Sequence, residues 1–247
     1  MRIAIISDVH ANLEALEVVL ADIRQRECEQ IVCLGDFVGY GPDPNACVDR
    51  LAPLVDGRRV AGNHDRAAVG KLDITFFNPF AQAAIRWTQR TLHATVQQYL
   101  RDLPAEWSQD GPLPFLAVHA SPRDPIEEYV LDAATAAASF RHRAFAVCFH
   151  GHTHIPALFL ASGGDVAGQP FLPDEEVRLD PQLRYLINVG SVGQPRDGDP
   201  RAAYAVLDEE AATVRLFRLA YPLERTQEKM HREGLPAVLA ERLSVGR

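Results

Sequence analysis

Long apolar segments are missing from this sequence, and their absence excludes one class of protein at the outset. No stretch approaches the roughly 20 apolar residues that a membrane-spanning helix needs. The first segment, MRIAII, turns polar at Ser7 and Asp8, which is too early for a secretory signal peptide. The sequence therefore predicts a cytoplasmic protein without a membrane partner.

Cysteine is scarce, and the four cysteines show no spacing typical of a thiolate metal site or a redox pair. Cys148 lies in the apolar run FAVCF, where a small buried hydrophobic side chain is expected. Cysteine usage of this kind fits a reducing compartment.

Runs of lysine and arginine are also missing, and the formal net charge is −8. Binding to a nucleic-acid polymer normally requires a basic stripe, so a long nucleic acid is not expected as a partner. Small anionic substrates stay open, because a bound cation can reverse the local field. An oligomer stays open as well, although no feature of the sequence indicates one.

Apolar runs in the first half of the chain alternate with helical patterns. RIAIIS, QIVCLG and RRVAGN predict short buried strands, and PFLAVH and AFAVCFHG predict two more. This alternation predicts a parallel sheet covered by helices. The second half has short strands joined by turn residues, which predicts antiparallel hairpins, and two helices close the chain. The simplest account is one α/β domain over residues 1–247 with two packed sheets.

Polar side chains gather where the predicted strands end, in the segments SDVH, LGD, GNHD, AVH and GHTH. The carboxyl ends of strands form the ligand crevice of an α/β sheet, so these segments are expected to meet. Each segment alone has an ordinary explanation, such as a helix cap or a hydrogen-bonded histidine. Together they contain five of the nine histidines, which selection for stability alone does not explain. Histidine at this edge indicates a metal site.

In combination, these motifs resemble those of the calcineurin-like metallophosphoesterases, whose pattern is D-x-H, G-D, G-N-H-[DE], H and G-H-x-H. They occur here in that order, as DVH, GD, GNHD, VH and GHTH, between Asp8 and His154. The later stretch NVGSVGQPRDGDPRAAYAVLD is similar to that of the small bacterial and archaeal phosphodiesterases of this family. The resemblance covers most of the chain. It implies an α/β fold of two packed mixed β-sheets flanked by helices, a four-layer αββα sandwich.

The resemblance also implies a centre of two divalent transition-metal ions. Its ligands would be Asp8, His10 and His154 for one metal, Asn63, His119 and His152 for the other, and Asp36 between them. A set of imidazole, carboxylate and amide ligands without thiolate suits Mn, Fe or Zn, and also Ni or Co. The sequence leaves the choice among these metals open.

The activity implied by the family is hydrolysis of a phosphoester by in-line attack of a hydroxide that bridges the two metals. His64 would be the catalytic histidine, which protonates the leaving oxygen or stabilises the charged phosphoryl group. A phosphodiesterase acting on small phosphodiesters or nucleotides is the preferred interpretation. The alternatives are a phosphomonoesterase or protein phosphatase on the same metal core, and a non-catalytic scaffold that binds partner proteins. A structural zinc site is disfavoured, because asparagine and a bridging aspartate are poor structural ligands.

One position departs from the family pattern. Many members have G-D-x-x-D, in which the second aspartate orients the catalytic histidine, but Gly39 occupies that position here. Asp65, a backbone carbonyl or a water molecule would then have to orient His64. His150 matches no position of the pattern, and we expect it to support the site or the fold rather than to bind metal.

Three residues are candidates for contact with the substrate. Asn12 is expected to cap the first helix, and a helix N-terminus also attracts phosphate. Tyr40 follows the second motif closely and is expected at the mouth of the pocket. Arg196 is a candidate phosphate clamp, with a surface ion pair to Asp197 or Asp199 as the alternative.

Aromatic residues cluster in the segment that follows the third motif. Phe76, Phe77, Phe80 and Trp87 occur at near-helical spacing, which favours packing in the core over stacking against a nucleotide base.

Overall fold

Two mixed β-sheets form the centre of the fold, and helices cover their outer faces. A computed structural model describes residues 1–247. The strands are β1 (Arg2–Ile6), β2 (Gln30–Cys33), β3 (Glu106–Gln109), β4 (Phe115–Val118), β5 (Val147–His150), β6 (Ala157–Ser162), β7 (Asp165–Pro170), β8 (Glu176–Arg178), β9 (Arg184–Asn188), β10 (Ala202–Asp208) and β11 (Thr213–Leu219). The helices are α1 (Leu13–Gln25), α2 (Pro44–Val55), α3 (Asn63–Ala68), α4 (Pro79–Thr91), α5 (Ala94–Arg101), α6 (Ala133–His142), α7 (Leu223–Arg232) and α8 (Ala237–Glu241), followed by a 3₁₀ helix (Arg242–Val245).

Strand β1 is apolar throughout because both of its faces are covered. Successive side chains of a strand point to opposite faces. Ile3 and Ile5 therefore pack in the core between the two sheets, with Phe149 of β5. Ala4 and Ile6 pack in the core beneath the helices. Full burial of one such isoleucine stabilises the fold by about 1.5–3 kcal/mol.

The first sheet has the strand order β2-β1-β10-β11-β8. Strands β1 and β2 are parallel, and β1 pairs with β10 in antiparallel fashion, with Ile3 opposite Leu207. Strands β10 and β11 form the hairpin expected from the sequence. The parallel pair places the motifs SDVH and LGD side by side at one edge of this sheet.

The second sheet has the order β3-β4-β5-β9-β6-β7, and β4, β5 and β9 are parallel. The motifs AVH and GHTH follow β4 and β5. The strands of the first half therefore belong to two sheets, and the prediction of one parallel sheet was wrong. The parallel pairing of β9 with β5 likewise differs from the hairpins expected there, whereas β6 and β7 do form a hairpin. The overall expectation of two packed mixed sheets flanked by helices is confirmed.

The segment RRVAGN is not a strand, although its apolar run predicted one. Arg59 forms a single bridge with Cys33 of β2. The next residue but one, Ala61, donates its N–H to the carbonyl of Pro104 at 2.7 Å, which takes the chain away from the sheet. This departure brings the following glycine and asparagine to the edge where the motifs meet.

The C-terminal helices cover one side of that edge. Met230 of α7, Leu239 of α8 and Leu243 of the 3₁₀ helix pack in a small apolar core with Tyr40 and with Ala81 of α4. The position of Tyr40 therefore depends on residues nearly 200 positions further along the chain. None of the helices combines the length and the apolar composition that a membrane span requires.

Candidate metal centre

The motif residues leave their strands in an unusual backbone conformation. Five of them have positive φ angles between 48° and 64°: Asp8, His10, Asp36, His152 and His154. This left-handed conformation costs a non-glycine residue about 1–2 kcal/mol. Hydrogen bonds between the loops hold it in place, such as those from the N–H of His10 to the carbonyl of Asp36 and from Gly193 N–H to the carbonyl of Asp8, both 2.9 Å. Strain of this kind is typical of functional sites.

Two glycines allow the loops to approach each other. A Cβ atom on Gly62 would lie 2.0 Å from Oδ1 of Asp36, and one on Gly151 would lie 2.3 Å from Oδ2 of Asp8. Both distances are shorter than any real contact. The glycines of GNHD and GHTH are therefore required by space beside the two carboxylates.

One group of ligand atoms forms around Asp8. Nε2 of His10 and Nε2 of His154 lie 3.0 Å apart. Oδ1 of Asp8 lies 3.2 Å from the nitrogen of His154 and 3.7 Å from that of His10. These three side chains are buried, and their ligand atoms lie within 4.8 Å of one another.

A second group forms around His119. Its Nε2 lies 3.1 Å from Oδ1 of Asn63 and 3.1 Å from Nδ1 of His152. Asp36 lies between the groups, with Oδ2 at 3.4 Å from His119 Nε2 and 3.5 Å from His10 Nε2. The other oxygen of Asp36 accepts the backbone N–H of His64 at 2.8 Å, which fixes the carboxylate.

Backbone carbonyls determine which nitrogen of each histidine carries its hydrogen. The carbonyl acceptors are those of Val38 for His10 Nδ1, Leu34 for His119 Nδ1, Gln194 for His154 Nδ1 and Glu127 for His152 Nε2, at 2.6–3.2 Å. Because a carbonyl can only accept, each of these nitrogens must donate. The opposite nitrogen of each ring, which faces the centre, then carries a lone pair.

Four imidazole lone pairs and two carboxylates therefore face the centre, and none of the four ring nitrogens there can donate a hydrogen bond. Oδ1 of Asp8 and Oδ2 of Asp36 are buried and have no hydrogen-bond partner. Buried charge without a partner is strongly unfavourable, and a cation removes the penalty. The ligand atoms are nitrogen and oxygen only, which suits a divalent transition metal. The residues thus fit the metal ions that the sequence predicts.

The protonation of the site agrees with metal binding. Burial lowers the pKa of His154 to about 4 and lowers the pKa of His10 well below its usual value, so both rings are neutral at neutral pH. Burial, with Asp65 and Asp8 nearby, raises the pKa of Asp36 well above its usual value. The central carboxylate is therefore costly to ionise unless a cation lies beside it.

His64 lies against the centre but is held differently from the other four histidines. Its ring packs between Tyr40 and Phe77, with centroids 4.3 and 5.2 Å away, and no carbonyl fixes its tautomer. Its Nδ1 is buried without a partner. Burial, followed by the charge of Arg196, lowers the pKa of His64 well below its usual value.

Asp65 does not orient His64, contrary to one of the possibilities raised by the sequence. Its two oxygens accept the backbone N–H groups of Val38 and Gly62 at 3.2 and 3.0 Å. Gly39, which replaces the family's second aspartate, packs directly against the ring, since a Cβ there would lie 2.4 Å from His64 Nδ1. Aromatic packing and the Gly39 backbone therefore hold the ring where a carboxylate is usual.

The three candidate substrate residues lie in different surroundings. Asn12 is buried and caps α1, with Oδ1 accepting the N–H of Ala15 and Nδ2 donating to the carbonyl of Gly193. Both ends of its amide are thus bonded to protein, and we retain only its structural role. Tyr40 packs edge-on against His10, with ring centroids 4.7 Å apart, and is one of the residues that line a pocket beside His64.

Arg196 is not in an ion pair with its acidic neighbours. Asp197 pairs with Arg218, and Asp199 pairs with Arg201. One Nη of Arg196 donates to Gln194 at 2.8 Å, and the guanidinium lies 5.5 Å from the Tyr40 ring centroid. Its buried Nε has no partner. A free cationic group therefore lies behind the ring that contacts His10 and His64.

The aromatic segment after the third motif is largely exposed, so its assignment to the core was wrong for two residues. Phe76 is 92% exposed and Phe80 is 50% exposed. Phe77 is partly buried against His64, and both Phe77 and Trp87 pack against the C-terminal apolar core. The residues before Pro79 form turns rather than helix, so the helical spacing there had no structural counterpart.

Sequence reasoning missed several residues around the centre. Tyr129 stacks on His152, with centroids 4.0 Å apart, and lines a pocket with Phe76 and Phe77. Asn188 supports the GHTH loop, since its Nδ2 donates to the carbonyl of Gly151 at 2.6 Å. The position of Asn188 at the end of a strand was a usable signal, whereas Tyr129 lies in an irregular loop without one. His150 is buried behind this loop, with Nδ1 3.4 Å from Nδ2 of Asn188, and is in neither ligand group.

A profile of the calcineurin-like phosphoesterase superfamily domain matches residues 1–212. This chain belongs to that superfamily. It is 43% identical to a metallophosphoesterase from Sphaerobacter thermophilus, whose crystal structure superposes with a TM-score of 0.87 and coverage of 100% of this chain and 99% of the other. An uncharacterised protein of Methanocaldococcus jannaschii, MJ0912, is 38% identical over 99% of this chain and 98% of its own length.

The calcineurin-like phosphoesterase fold extends to more distant proteins. The crystal structure of the hypothetical protein PH1004 from Pyrococcus horikoshii OT3 has a TM-score of 0.81 at 19% identity, and the alignment covers 100% of this chain and 98% of the other. Membership of the superfamily supports hydrolysis of phosphoesters with the help of divalent metal ions. It does not distinguish diesters from monoesters.

Proposed function

We propose that this chain is a two-metal phosphodiesterase that hydrolyses small phosphodiesters, including nucleotides. The observation that carries the proposal is the position of Asp36. Its buried Oδ2 lies 3.5 Å from His10 Nε2 in one ligand group and 3.4 Å from His119 Nε2 in the other. An oxygen shared between two sets of ligands is suited to bridging two cations, with Asp8, His10 and His154 around one and Asn63, His119 and His152 around the other.

The ligand set suits Mn, Fe, Zn, Ni or Co, and no observation favours one of them. When bound, two such cations would neutralise charge on the phosphoryl oxygens and lower the pKa of water to near neutrality. Hydrolysis of a diester consumes one water and releases an alcohol and a phosphomonoester. The leaving alkoxide must receive a proton in this reaction, so a proton donor is needed beside the phosphoryl site.

His64 is our candidate for the proton donor, since the negative charge of a bound phosphate would favour its protonated form and offset the lowered pKa of the free site. It lines the pocket together with Asn63 and His152, which are two of the three side chains of the second ligand group. Its backbone N–H holds Asp36, so the ring and the proposed bridging carboxylate keep a fixed relation. Arg196, behind Tyr40, adds positive charge near the same place and has no acidic partner that would cancel it.

A diester is favoured over a monoester by the surroundings of the ligand atoms. A pocket of about 390 Å³ opens beside them and has room for an organic group. No lysine or arginine lines this pocket, whereas the carboxylate of Glu127 does. A second organic group on the phosphate suits such a pocket, and this room is the reason for preferring a diester, since the phosphoryl group itself would be bound at the metal centre.

Elemental analysis combined with a phosphoester panel tests this proposal. The protein is purified without chelators, saturated with Mn²⁺, Zn²⁺ or Fe²⁺ and desalted before the metal is counted. We expect two metal ions per chain in the wild type and fewer in Asp36→Asn. With one metal held constant, kcat/KM is compared for an aryl phosphodiester, 2′,3′- and 3′,5′-cyclic nucleotides, an aryl phosphate and a phosphopeptide.

Different results would support the alternatives. A tenfold or greater preference for the aryl phosphate or the phosphopeptide would replace the proposal with a phosphatase. A protein that binds two metals yet hydrolyses no member of the panel would favour a partner-binding scaffold. At most one metal per chain at saturation would remove the two-metal centre itself.

A further inference from the structure

The pocket beside the ligand atoms has an aromatic wall, and we infer that it binds a planar aromatic group of the substrate, such as a nucleotide base. This inference rests on the proposed function and specifies the class of substrate that the site takes. The pocket has a volume of about 390 Å³, within the range of small-molecule sites. Asn63, His64 and His152 are among its lining residues, so a substrate whose phosphate lies at the proposed metal centre can place an attached group in this pocket.

The aromatic side chains of this wall are exposed to an unusual extent. Three aromatic residues of the chain are at least half exposed, namely Phe76, Phe80 and Tyr129, and two of them line this pocket. Phe76 is 92% exposed, so neighbouring protein groups leave most of its ring uncovered. Tyr129 already stacks on His152, with a centroid distance of 4.0 Å and an interplanar angle of 28°. Its ring is therefore held in a fixed plane.

Two further rings complete the wall. Phe77 packs against His64 with centroids 5.2 Å apart, and Tyr40 packs against the same histidine at 4.3 Å. Both are fixed by contacts within the protein, which reduces the entropy that a bound ligand would otherwise have to remove. Aromatic rings presented in fixed positions around a concave site are the usual arrangement for stacking against a base.

The charges of the pocket select against a second phosphate. The lining contains no lysine or arginine, and its one carboxylate, on Glu127, makes no ion pair. Asn78 uses its Oδ1 to accept the N–H of Ala81, which leaves its amide nitrogen free to donate to a ligand. An uncharged planar group with hydrogen-bond acceptors at its edge fits these features, and a polyphosphate chain does not.

A matched pair of ligands and a matched pair of variants test the inference. Adenosine 5′-monophosphate and ribose 5-phosphate carry the same phosphate and differ by the base. Their dissociation constants for the Mn²⁺-loaded protein are measured by calorimetry with the wild type, Phe76→Ala, Phe76→Trp and Phe80→Ala. Phe76 and Phe80 are both exposed aromatic residues of one short segment, but only Phe76 lines the pocket.

We expect the wild type to bind the nucleotide at least about fivefold more tightly than the sugar phosphate, since stacking on an aromatic ring contributes to binding. Phe76→Ala should remove most of that preference by weakening nucleotide binding alone. Phe76→Trp and Phe80→Ala should keep it. Phe76 is too exposed for its truncation to unfold the protein.

Equal affinity of the wild type for the two ligands, or no measurable binding of either, would overturn the inference. A base preference that survives in Phe76→Ala or disappears in Phe80→Ala would overturn it as well. The proposed function is judged separately, by Mn²⁺-dependent hydrolysis of bis(4-nitrophenyl) phosphate in the same wild-type sample. A base preference without hydrolysis would contradict the proposed phosphodiesterase activity. Hydrolysis without a base preference would contradict only the proposed binding of an aromatic group.

Discussion

At the scale of single residues, His64 differs from the four histidines around it in how its ring is held. Each of the four donates one ring nitrogen to a backbone carbonyl, whereas His64 packs between Tyr40 and Phe77. One of its nitrogens nevertheless lies within 4.8 Å of ligand atoms of His10 and Asp36. Whether His64 donates a proton, as we propose, or binds a metal can therefore be decided by mutation.

His64→Ala should keep both metal ions and lose activity by about 10²–10⁴-fold, because general-acid and charge-stabilising groups contribute that much. His152→Ala should lose metal and activity together, since its Nδ1 lies 3.1 Å from His119 Nε2 inside the second ligand group. Metal content by elemental analysis and kcat on an aryl phosphodiester are the two measurements. An empty metal site in His64→Ala would assign that residue to the ligands instead.

Gly39→Ala should displace the His64 ring. A Cβ at this position would lie 2.4 Å from Nδ1, and φ is +94°. We expect kcat to fall at least about tenfold with metal content unchanged. Gly57→Ala is the matched control, because Gly57 has φ +86° and a Cβ there would meet nothing within 4 Å. Both variants should share the backbone penalty of about 1–2 kcal/mol in unfolding free energy, and only Gly39→Ala should lose activity. Equal activity in the two variants would mean that Gly39 does not position the histidine.

At the scale of elements, helix α7 ties the C-terminal region to the site through one lysine. Nζ of Lys229 lies 2.7 Å from Glu14 of α1 and 2.8 Å from Asp43, which precedes α2. Glu14 is largely buried, so the ammonium compensates a carboxylate that water does not reach. The same helix packs Met230 against Tyr40, and its attachment therefore affects the wall of the pocket.

Lys229→Met should lower the free energy of unfolding by about 1.5–3 kcal/mol, the range for a hydrogen bond to a charged group. The methionine keeps the apolar part of the side chain, so the loss reports the ammonium alone. Lys71→Met is the control, since Lys71, the other lysine of the chain, is exposed and donates to the backbone carbonyl of Arg101 rather than to a buried carboxylate. Urea denaturation of the two variants measures the difference. If the two variants had a similar free energy of unfolding, helix α7 would be held by its apolar contacts and not by the Lys229 ammonium.

Helices and strands were predicted well from the sequence where core packing determines their course. They were predicted less well where contacts at the metal centre determine it. Strand β1 is apolar because both of its faces are covered, and this apolar run was sufficient to predict the strand. Val60 and Ala61 also suggested a strand, but the chain leaves the sheet there, with Ala61 bonded to Pro104 and Gly62 lying against Asp36. The edge strand β3 is polar and half exposed, so no apolar run marks it.

The same distinction applies to the candidate site. The seven residues that meet in the two ligand groups come from the ends of regular elements, where an α/β sheet places ligands. Phe76 and Tyr129 come from irregular segments, whose course depends on packing that no local pattern encodes. Near-helical spacing even suggested the wrong environment for Phe76. The grouping of the seven side chains was thus predictable from the sequence, and the shape of the adjoining pocket was not.

At the scale of the whole molecule, the centre stores unfavourable electrostatic energy when no cation is present. Asp36→Asn should therefore raise the stability of the metal-free protein, by about 1–2 kcal/mol or roughly 2–8 °C in Tm. The reason is that Asp36 Oδ2 is buried without a partner, while an asparagine oxygen can still accept the N–H of His64. Asp110→Asn, on an exposed aspartate, is the control and should have no effect.

With Mn²⁺ bound, the wild type should be more stable than Asp36→Asn. Wild-type protein at about 100 times the dissociation constant gains about 2.7 kcal/mol per site, and Asp36→Asn should gain much less. Thermal unfolding with and without a chelator measures both effects. A metal-free Asp36→Asn protein that is less stable than the wild type would show that the carboxylate is satisfied without a cation.

The two ligand groups draw on both sheets, since Asp8 and Asp36 follow β1 and β2 of one sheet, and His119, His152 and His154 follow β4 and β5 of the other. A binding site with such an origin cannot exist until the sheets have docked. Metal capture is then a late event in folding, slow because contacts between distant parts of the chain form slowly. In refolding experiments, the rate of uptake of a spectroscopically visible ion such as Co²⁺ would report when the two sheets dock. Far-ultraviolet circular dichroism would report the formation of the helices separately.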